Sequence, residues 1–161
     1  MFRTMRRFKQ QLPDAETEQI LEEGKTGVLG VIGDDGYPYT VPLNYLYKDG
    51  KIVFHGAKQG HKYDAMKNCD KVSFTVISVD EVIPEKVTNR YKSVIAFGRV
   101  KAVEDMDEAL ELARSLGLKF SPADAVEADI KNTFRNMVVY VMTVEYKTGK
   151  EGLEFTKERA K

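Results

Sequence analysis

The chain has 161 residues, 42% of them hydrophobic and 31% charged, the balance of a globular domain long enough to bury a core. Lys and Arg total 25 and Asp and Glu total 25, so the basic excess that ordinarily holds nucleic acid is missing. The one cysteine, Cys69, excludes an internal disulfide and an all-cysteine metal site, and no apolar run nears the ~18 residues of a membrane span.

No linker-like or repetitive stretch interrupts the sequence, which predicts one domain over residues 1–161. Residues 1–12 read as an arm, with Phe2, Met5 and Phe8 set between Arg3, Arg6, Arg7 and Lys9. Packing on its own domain or on a partner subunit is expected of this arm ahead of phosphate binding. The arm lacks the apolar stretch of a secretory signal, so a cytoplasmic location is expected.

Pro13-Asp14 opens a helix with Asp14 as N-cap, Glu16 and Glu18 at its positive end, and Gly24 as the stop. Val28–Ile32 is a short apolar strand. Gly33-Asp34-Asp35-Gly36 is a hairpin turn, because Asp and Gly tolerate positive φ. Tyr37–Tyr47 is a second strand, Lys48-Asp49-Gly50 another turn, and Lys51–Gly56 a third strand. Gly60–Asn68 reads as a short helix with Tyr63, Ala65 and Met66 inward. Val72–Val79 alternates apolar and polar residues, the mark of a half-buried strand. Residues 80–90 are expected to be a loop around Pro84, and Tyr91–Val103 a long strand with Val94, Ala96, Gly98 and Val100 on one side. Asp105 to Glu108 resembles a capping box. The helix it opens carries Met106, Ala109, Leu110, Ala113 and Leu116 at helical spacing. Asp124–Asn136 is a weaker helix on Val126, Ile130 and Phe134, and Met137–Tyr146 a last strand. Tight turns between most strands exclude parallel crossovers. The predicted fold is mainly β, an antiparallel sheet of about six strands closed into a small barrel with helices outside.

Phe54-His55-Gly56-Ala57-Lys58-Gln59-Gly60-His61-Lys62 carries both histidines, at the junction of a strand and a helix. The first amides of a helix lack internal partners and, with the helix dipole, favour an anion. His61 and Lys62 add donors, and Gly56 and Gly60 let a ligand approach the backbone. This predicts a phosphate site. It is not a Walker loop, since three residues separate the glycines and His follows the second. A solvated helix start with a surface His and Lys accounts for the same residues. A metal site is not expected, because no third ligand lies near the histidines.

In Tyr37-Pro38-Tyr39-Thr40-Val41-Pro42-Leu43-Asn44-Tyr45 two prolines remove two ladder donors, so the strand needs a free edge or a bulge. Such an edge can present N–H and C=O groups to a flat heterocycle, with Tyr39, Asn44 and Tyr45 adding stacking and hydrogen bonds. Ser93 could donate to a phosphate, and an ordinary exposed serine is the simpler reading.

Met5-Arg6-Arg7, residues 36–45, residues 54–62, Lys71–Val76, the Tyr91-x-Ser93-Val94-Ile95-x-x-Gly98 pattern and Thr148-Gly149-Lys150 together resemble the Nim-type nitroimidazole-resistance proteins. These are FMN-binding split barrels related to pyridoxamine 5′-phosphate oxidase. The resemblance implies a split-barrel homodimer with flavin at the subunit interface. It places His61 and Lys62 on the phosphate, with Gly60 before them, and Ser93 on a strand approaching it. Tyr39, Thr40, Val41, Pro42, Leu43 and Asn44 would lie along the isoalloxazine ring, and His55, Gly56 and Ala57 beside the ring and ribityl chain. His61 stands where the oxidase has Arg, which implies a weaker, pH-sensitive contact. The oxidase's substrate-binding residues are not recognisable.

The resemblance thus implies FMN, with FAD as the alternative, and a flavin-dependent oxidoreductase. A reduced nicotinamide nucleotide would supply electrons for a small acceptor such as a nitro-aromatic or a quinone, and His55 would be the catalytic proton donor. A non-catalytic flavin carrier or sensor explains the same residues. A nucleic-acid or protein-interaction barrel rests only on the basic arm and the tyrosines, and zero net charge opposes it. No membrane association is expected.

Overall fold

The computed structural model describes residues 1–161 as one seven-stranded antiparallel sheet with five helices around it. The strands are β1 (Thr26–Ile32), β2 (Pro38–Asn44), β3 (Leu46–Lys48), β4 (Lys51–Ala57), β5 (Lys71–Ile83), β6 (Thr88–Ala102) and β7 (Met137–Glu151). The helices are α1 (Asp14–Glu23), α2 (His61–Asn68), α3 (Met106–Leu118), α4 (Ala123–Thr133) and α5 (Leu153–Arg159). No helix is long and apolar enough to cross a membrane.

The sheet runs β2-β1-β5-β6-β7-β4-β3. Its two outermost strands, β2 and β3, are consecutive in the chain and separated only by Tyr45. The chain therefore closes the sheet on itself covalently, where no hydrogen-bonded ladder does. The expected single strand over residues 37–47 is two strands. Tyr45 is fully buried, and its hydroxyl donates to the Leu21 carbonyl oxygen at 2.7 Å. That bond turns the backbone out of β2's ladder and into β3's.

Inside the barrel, alternation fills the core from every strand. Leu29, Ile52, Phe54, Phe74, Val76, Val94, Ala96 and Met142 are buried there. The expected inner row of β6, Val94 to Val100, is inner throughout. A second apolar layer, Val53 and Val139 against Ala109 and Ala113 of α3, holds the α3–α4 hairpin on the outside.

Several local expectations need correction. Asp14 is the first helical residue, and Pro13 occupies the N-cap without a side-chain bond. Residues 80–90 are largely ladder, because β5 and β6 stay paired out to Ile83 and Thr88 around a one-turn 3₁₀ segment, Pro84–Lys86. Met106 lies outside, 62% exposed, because it opens α3 beyond the face that packs. Asp105 does cap α3, accepting from the Glu108 N–H at 2.8 Å. The arm lies on its own sheet. Phe2 stacks on Tyr146 with ring centroids 4.9 Å apart, and the Leu12 N–H donates to the Gly149 oxygen at 3.0 Å.

Candidate functional site

β3 pairs with β4 only as far as Leu46↔Val53, and β2 pairs only with β1. Beyond Tyr45 the two strands diverge. Residues 38–44 and residues 54–57 thus face each other across a gap, each with one unpaired edge. The site residues expected on residues 39–44 and 55–57 all belong to the two lips of this gap, and those at 60–62 lie at its wide end.

The direction of each backbone group follows from the ladders. Gly33 N–H donates to the Tyr37 oxygen at 2.8 Å. With the β1–β2 register, alternation turns Tyr39, Val41 and Leu43 toward β1 and leaves the main-chain groups of Pro38, Thr40, Pro42 and Asn44 on the free edge. Both prolines therefore sit where an N–H would have no ladder partner, which explains why the strand tolerates them. The same reasoning from the Asp49-Gly50 hairpin aims the main chain of His55 and Ala57 into the gap. Donors left for a ligand are the N–H groups of Thr40, Asn44, His55 and Ala57.

Side chains divide the other way. Tyr39, Val41 and Leu43 turn inward against the core, so they offer no side-chain surface along the outer edge. Tyr45 is committed to Leu21 and is not available for stacking. Asn44 spends its amide on the Lys25 carbonyl oxygen at 3.0 Å.

At the wide end, Gly60 adopts φ 108° and ψ 170° just before α2, a conformation essentially restricted to glycine. It turns the chain into α2, whose first amides lack helical partners. His61 packs against Tyr39 with ring centroids 4.2 Å apart, and its Nε2 accepts from the Asp34 N–H at 3.2 Å. With Nε2 accepting, Nδ1 is the nitrogen left to donate. Lys62 folds over Gly56, where an added Cβ would lie 2.9 Å from Lys62 Cε. Gly56 thus makes room for the ammonium. Asp34 is a site residue that sequence reading missed, since the turn chemistry of residues 33–36 already accounted for it.

His55 projects to the opposite face of β4, toward α4. Its ring opens on a cavity of about 400 Å³ that Asn44, α3, α4 and Met137 complete. Burial lowers its pKa below 6.5, the Lys62 ammonium lowers it further, and the Asp129 carboxylate opposes both. At neutral pH the ring is uncharged. In that state the ring offers the cavity a neutral N–H.

A groove of about 600 Å³ flanks the Pro38 end of β2 on the outer sheet face, over Thr40, Gly30, Ser73 and Phe97. Gly30 opens it, since a Cβ there would lie 2.6 Å from Ser73 Oγ. Ser93 is not brought to this end. It pairs with Ile77 and Lys150, four residues along the strands from the Ser73–Phe97 pair, or about 13 Å. It faces a separate groove with Arg6, Thr148 and Lys150. No three His, Cys, Asp or Glu side chains gather as metal ligands.

The residues present fit a phosphorylated planar heterocycle. The donor set at Gly60–Lys62 suits an anion, the Gly56 cradle seats a cation beside it, and the lips would supply unpaired main-chain groups for the ring. Comparison with known proteins agrees on the fold. Residues 13–151 match the family model described as pyridoxamine 5′-phosphate oxidase. A candidate 5-nitroimidazole antibiotic resistance protein from Bacteroides thetaiotaomicron superposes with a TM-score of 0.73 at 21% identity, over 88% of this chain and 86% of that one. A FAD-binding protein from Mesorhizobium loti gives 0.62 at 24% identity, over 88% and 96%. A FAD- and heme-binding protein from Mycobacterium smegmatis gives 0.75 at 15% identity, over 94% and 80%. No curated protein matches the chain.

Proposed function

The chain belongs to the pyridoxamine 5′-phosphate oxidase family, and on that premise we propose that it is a flavin-binding oxidoreductase. FMN is its cofactor, with the phosphate at Gly60–Lys62 and the ring along the free edge of β2. The observation that carries this reading is the unpaired gap between β2 and β4 with a helix start, His61 and Lys62 at its wide end. A bound flavin would supply electron transfer between a reduced nicotinamide nucleotide and a small acceptor such as a nitro-aromatic or a quinone. The protein's own part is to bind, orient and shield. Lys62 and the α2 amides hold the phosphate, Thr40 and Asn44 N–H groups orient the ring, and His55 N–H faces the acceptor side. The FAD-binding neighbours support a flavin of either kind, and a phosphate at the helix start is common to FMN and FAD.

Two copies are expected to share the site. Ile77, Ile95 and Phe97 expose 59%, 41% and 39% of their surface on the outer sheet face. A two-fold pairing across that face would carry the Ser93 end of one copy toward the His61 end of the other. That arrangement gives Ser93 the phosphate role its own chain denies it. A cytoplasmic setting, where reduced nicotinamide nucleotides are abundant, belongs to the same proposal.

The test is the visible spectrum of the purified protein, followed by anaerobic mixing with NADH or NADPH and then with a nitro-aromatic. Flavin bands that bleach with the donor and return with the acceptor support the enzyme. A bound flavin inert to both donors supports a carrier or sensor instead. Colourless protein that takes up no added FMN overturns flavin binding altogether.

A further inference from the structure

The cavity beside His55 has its own chemistry, distinct from the phosphate end of the gap. Its volume, about 400 Å³, lies within the ~300–1,000 Å³ of small-ligand sites. It is walled by Leu116, Phe120, Ile130 and Met137, with His55 and Asn44 as its floor at the lips of the gap. Asp129 is the only formally charged side chain that lines it. The Thr133 hydroxyl donates to the Asp129 carbonyl oxygen at 3.0 Å, with the Asp129 carboxylate 3.3 Å away, and the carboxylate's charge reaches His55. Lys62, the other charge that reaches His55, lies over Gly56 on the other face of β4, where the proposed phosphate would occupy it.

We propose that this cavity, enclosed by the α3–α4 hairpin over His55, is the electron-acceptor site, and that Asp129 makes it select uncharged or cationic planar acceptors over anionic ones. The proposal rests on the flavin reading above and deepens it. An apolar slot with one carboxylate takes a small aromatic ring by area burial. It repels a carboxylate-bearing ring by charge. Asp129 is exposed, so solvent screens the repulsion, and the discrimination expected is roughly 3- to 30-fold.

The test uses two probes of matched size, neutral p-nitrobenzamide and anionic p-nitrobenzoate. Their dissociation constants are measured by perturbation of the bound flavin's spectrum in the wild-type holoprotein, in Asp129→Asn and in Ala125→Phe. Wild type should prefer the amide. D129N should tighten the benzoate by roughly 3- to 30-fold and leave the amide within about twofold, with flavin content unchanged. A125F, which places a ring in the cavity, should weaken both probes. Equal preference in wild type and D129N, or unchanged binding in A125F, in a protein that still holds flavin overturns the cavity assignment alone. Absence of bound flavin in the wild type overturns the parent reading and this one together.

Discussion

Lys119 and Tyr45 are joined twice. The Lys119 ammonium donates to the Tyr45 carbonyl oxygen at 3.1 Å and lies 4.5 Å from the centroid of the Tyr45 ring. A second bond, to the Gly24 oxygen at 2.6 Å, ties the same ammonium to the end of α1. One cation thus pins the bend between β2 and β3 to the α3–α4 hairpin, the two bodies that flank the His55 cavity. Lys119→Met removes these bonds while keeping most of the stem. The expected loss is about 1–2 kcal/mol, a fall in Tm of roughly 2–8 °C. Thermal unfolding followed by circular dichroism measures it. An unchanged Tm would show that the clamp adds nothing.

Tyr45→Phe probes the other half of the bend. The ring and its edge-on contact with Phe74, at 4.9 Å, remain. The Leu21 carbonyl oxygen loses its donor in a buried place, which costs about 1–3 kcal/mol. Denaturant unfolding should show a lower midpoint with an unchanged m-value.

Two glycines at the wide end of the gap should respond differently to alanine. At Gly60 nothing lies within 4 Å of an added Cβ, but φ is 108°. Gly60→Ala is therefore a backbone-strain variant, expected to lose about 1–3 kcal/mol of stability. At Gly56 the obstacle is the flexible end of Lys62, so Gly56→Ala should fold normally and displace the ammonium. Its expected signature is FMN affinity weakened by roughly 10-fold or more, with riboflavin, which lacks the phosphate, little affected. Isothermal titration with the two flavins separates the cases. Equal losses for both would remove Lys62 from the phosphate.

His55 gives a pH prediction with a definite sign. Its folded pKa lies below the 6.5 of the free side chain, first because of burial and then because of Lys62. Between those two values the unfolded chain binds a proton that the folded one does not. Stability is therefore full above about pH 6.5 and falls as pH drops through the window toward the folded pKa. His55→Gln should abolish that component, flattening stability against pH below 6.5. In turnover, any contribution of protonated His55 should appear only as an acid-side limb. A wild-type and an H55Q profile that superimpose would show His55 to be silent in both respects.

Most strands were legible because a barrel wall imposes the simplest periodicity there is. One face is core and the other is not, so β5 shows Val72, Phe74 and Val76 against Ser73 and Thr75 in the bare sequence. Turns were legible where they demand positive φ, as at Asp35-Gly36 and Asp49-Gly50. The break at Tyr45 was not legible, since it depends on a hydroxyl reaching Leu21, 24 positions away. The outward extension of β5 and β6 was hidden by Pro84, which reads as a loop signal and is in fact the tip of a hairpin. α5 went unread because its seven residues bury none of their side chains. It is held through ion pairs such as Arg159 with the buried Glu151, at 2.9 Å, that leave no periodic trace.

Local chemistry carried in the chain was enough to mark the anion site: glycines that free the backbone, an exposed helix start, and a histidine and lysine beside it act over a few bonds and need no distant partner. Likewise, two prolines four apart announce an unpaired edge wherever the strand ends up. What no reading along the chain could supply is which edge faces which. The gap exists because β2, and β4 beyond Val53, are each left without a partner on one edge. Ser93 lies in register with Ile77 and Lys150 and away from the Pro38 end, because register, rather than motif order, sets position along a barrel. The cavity over His55 arises from helices some 60–75 positions later in the chain, folded back by an apolar layer and a single ammonium.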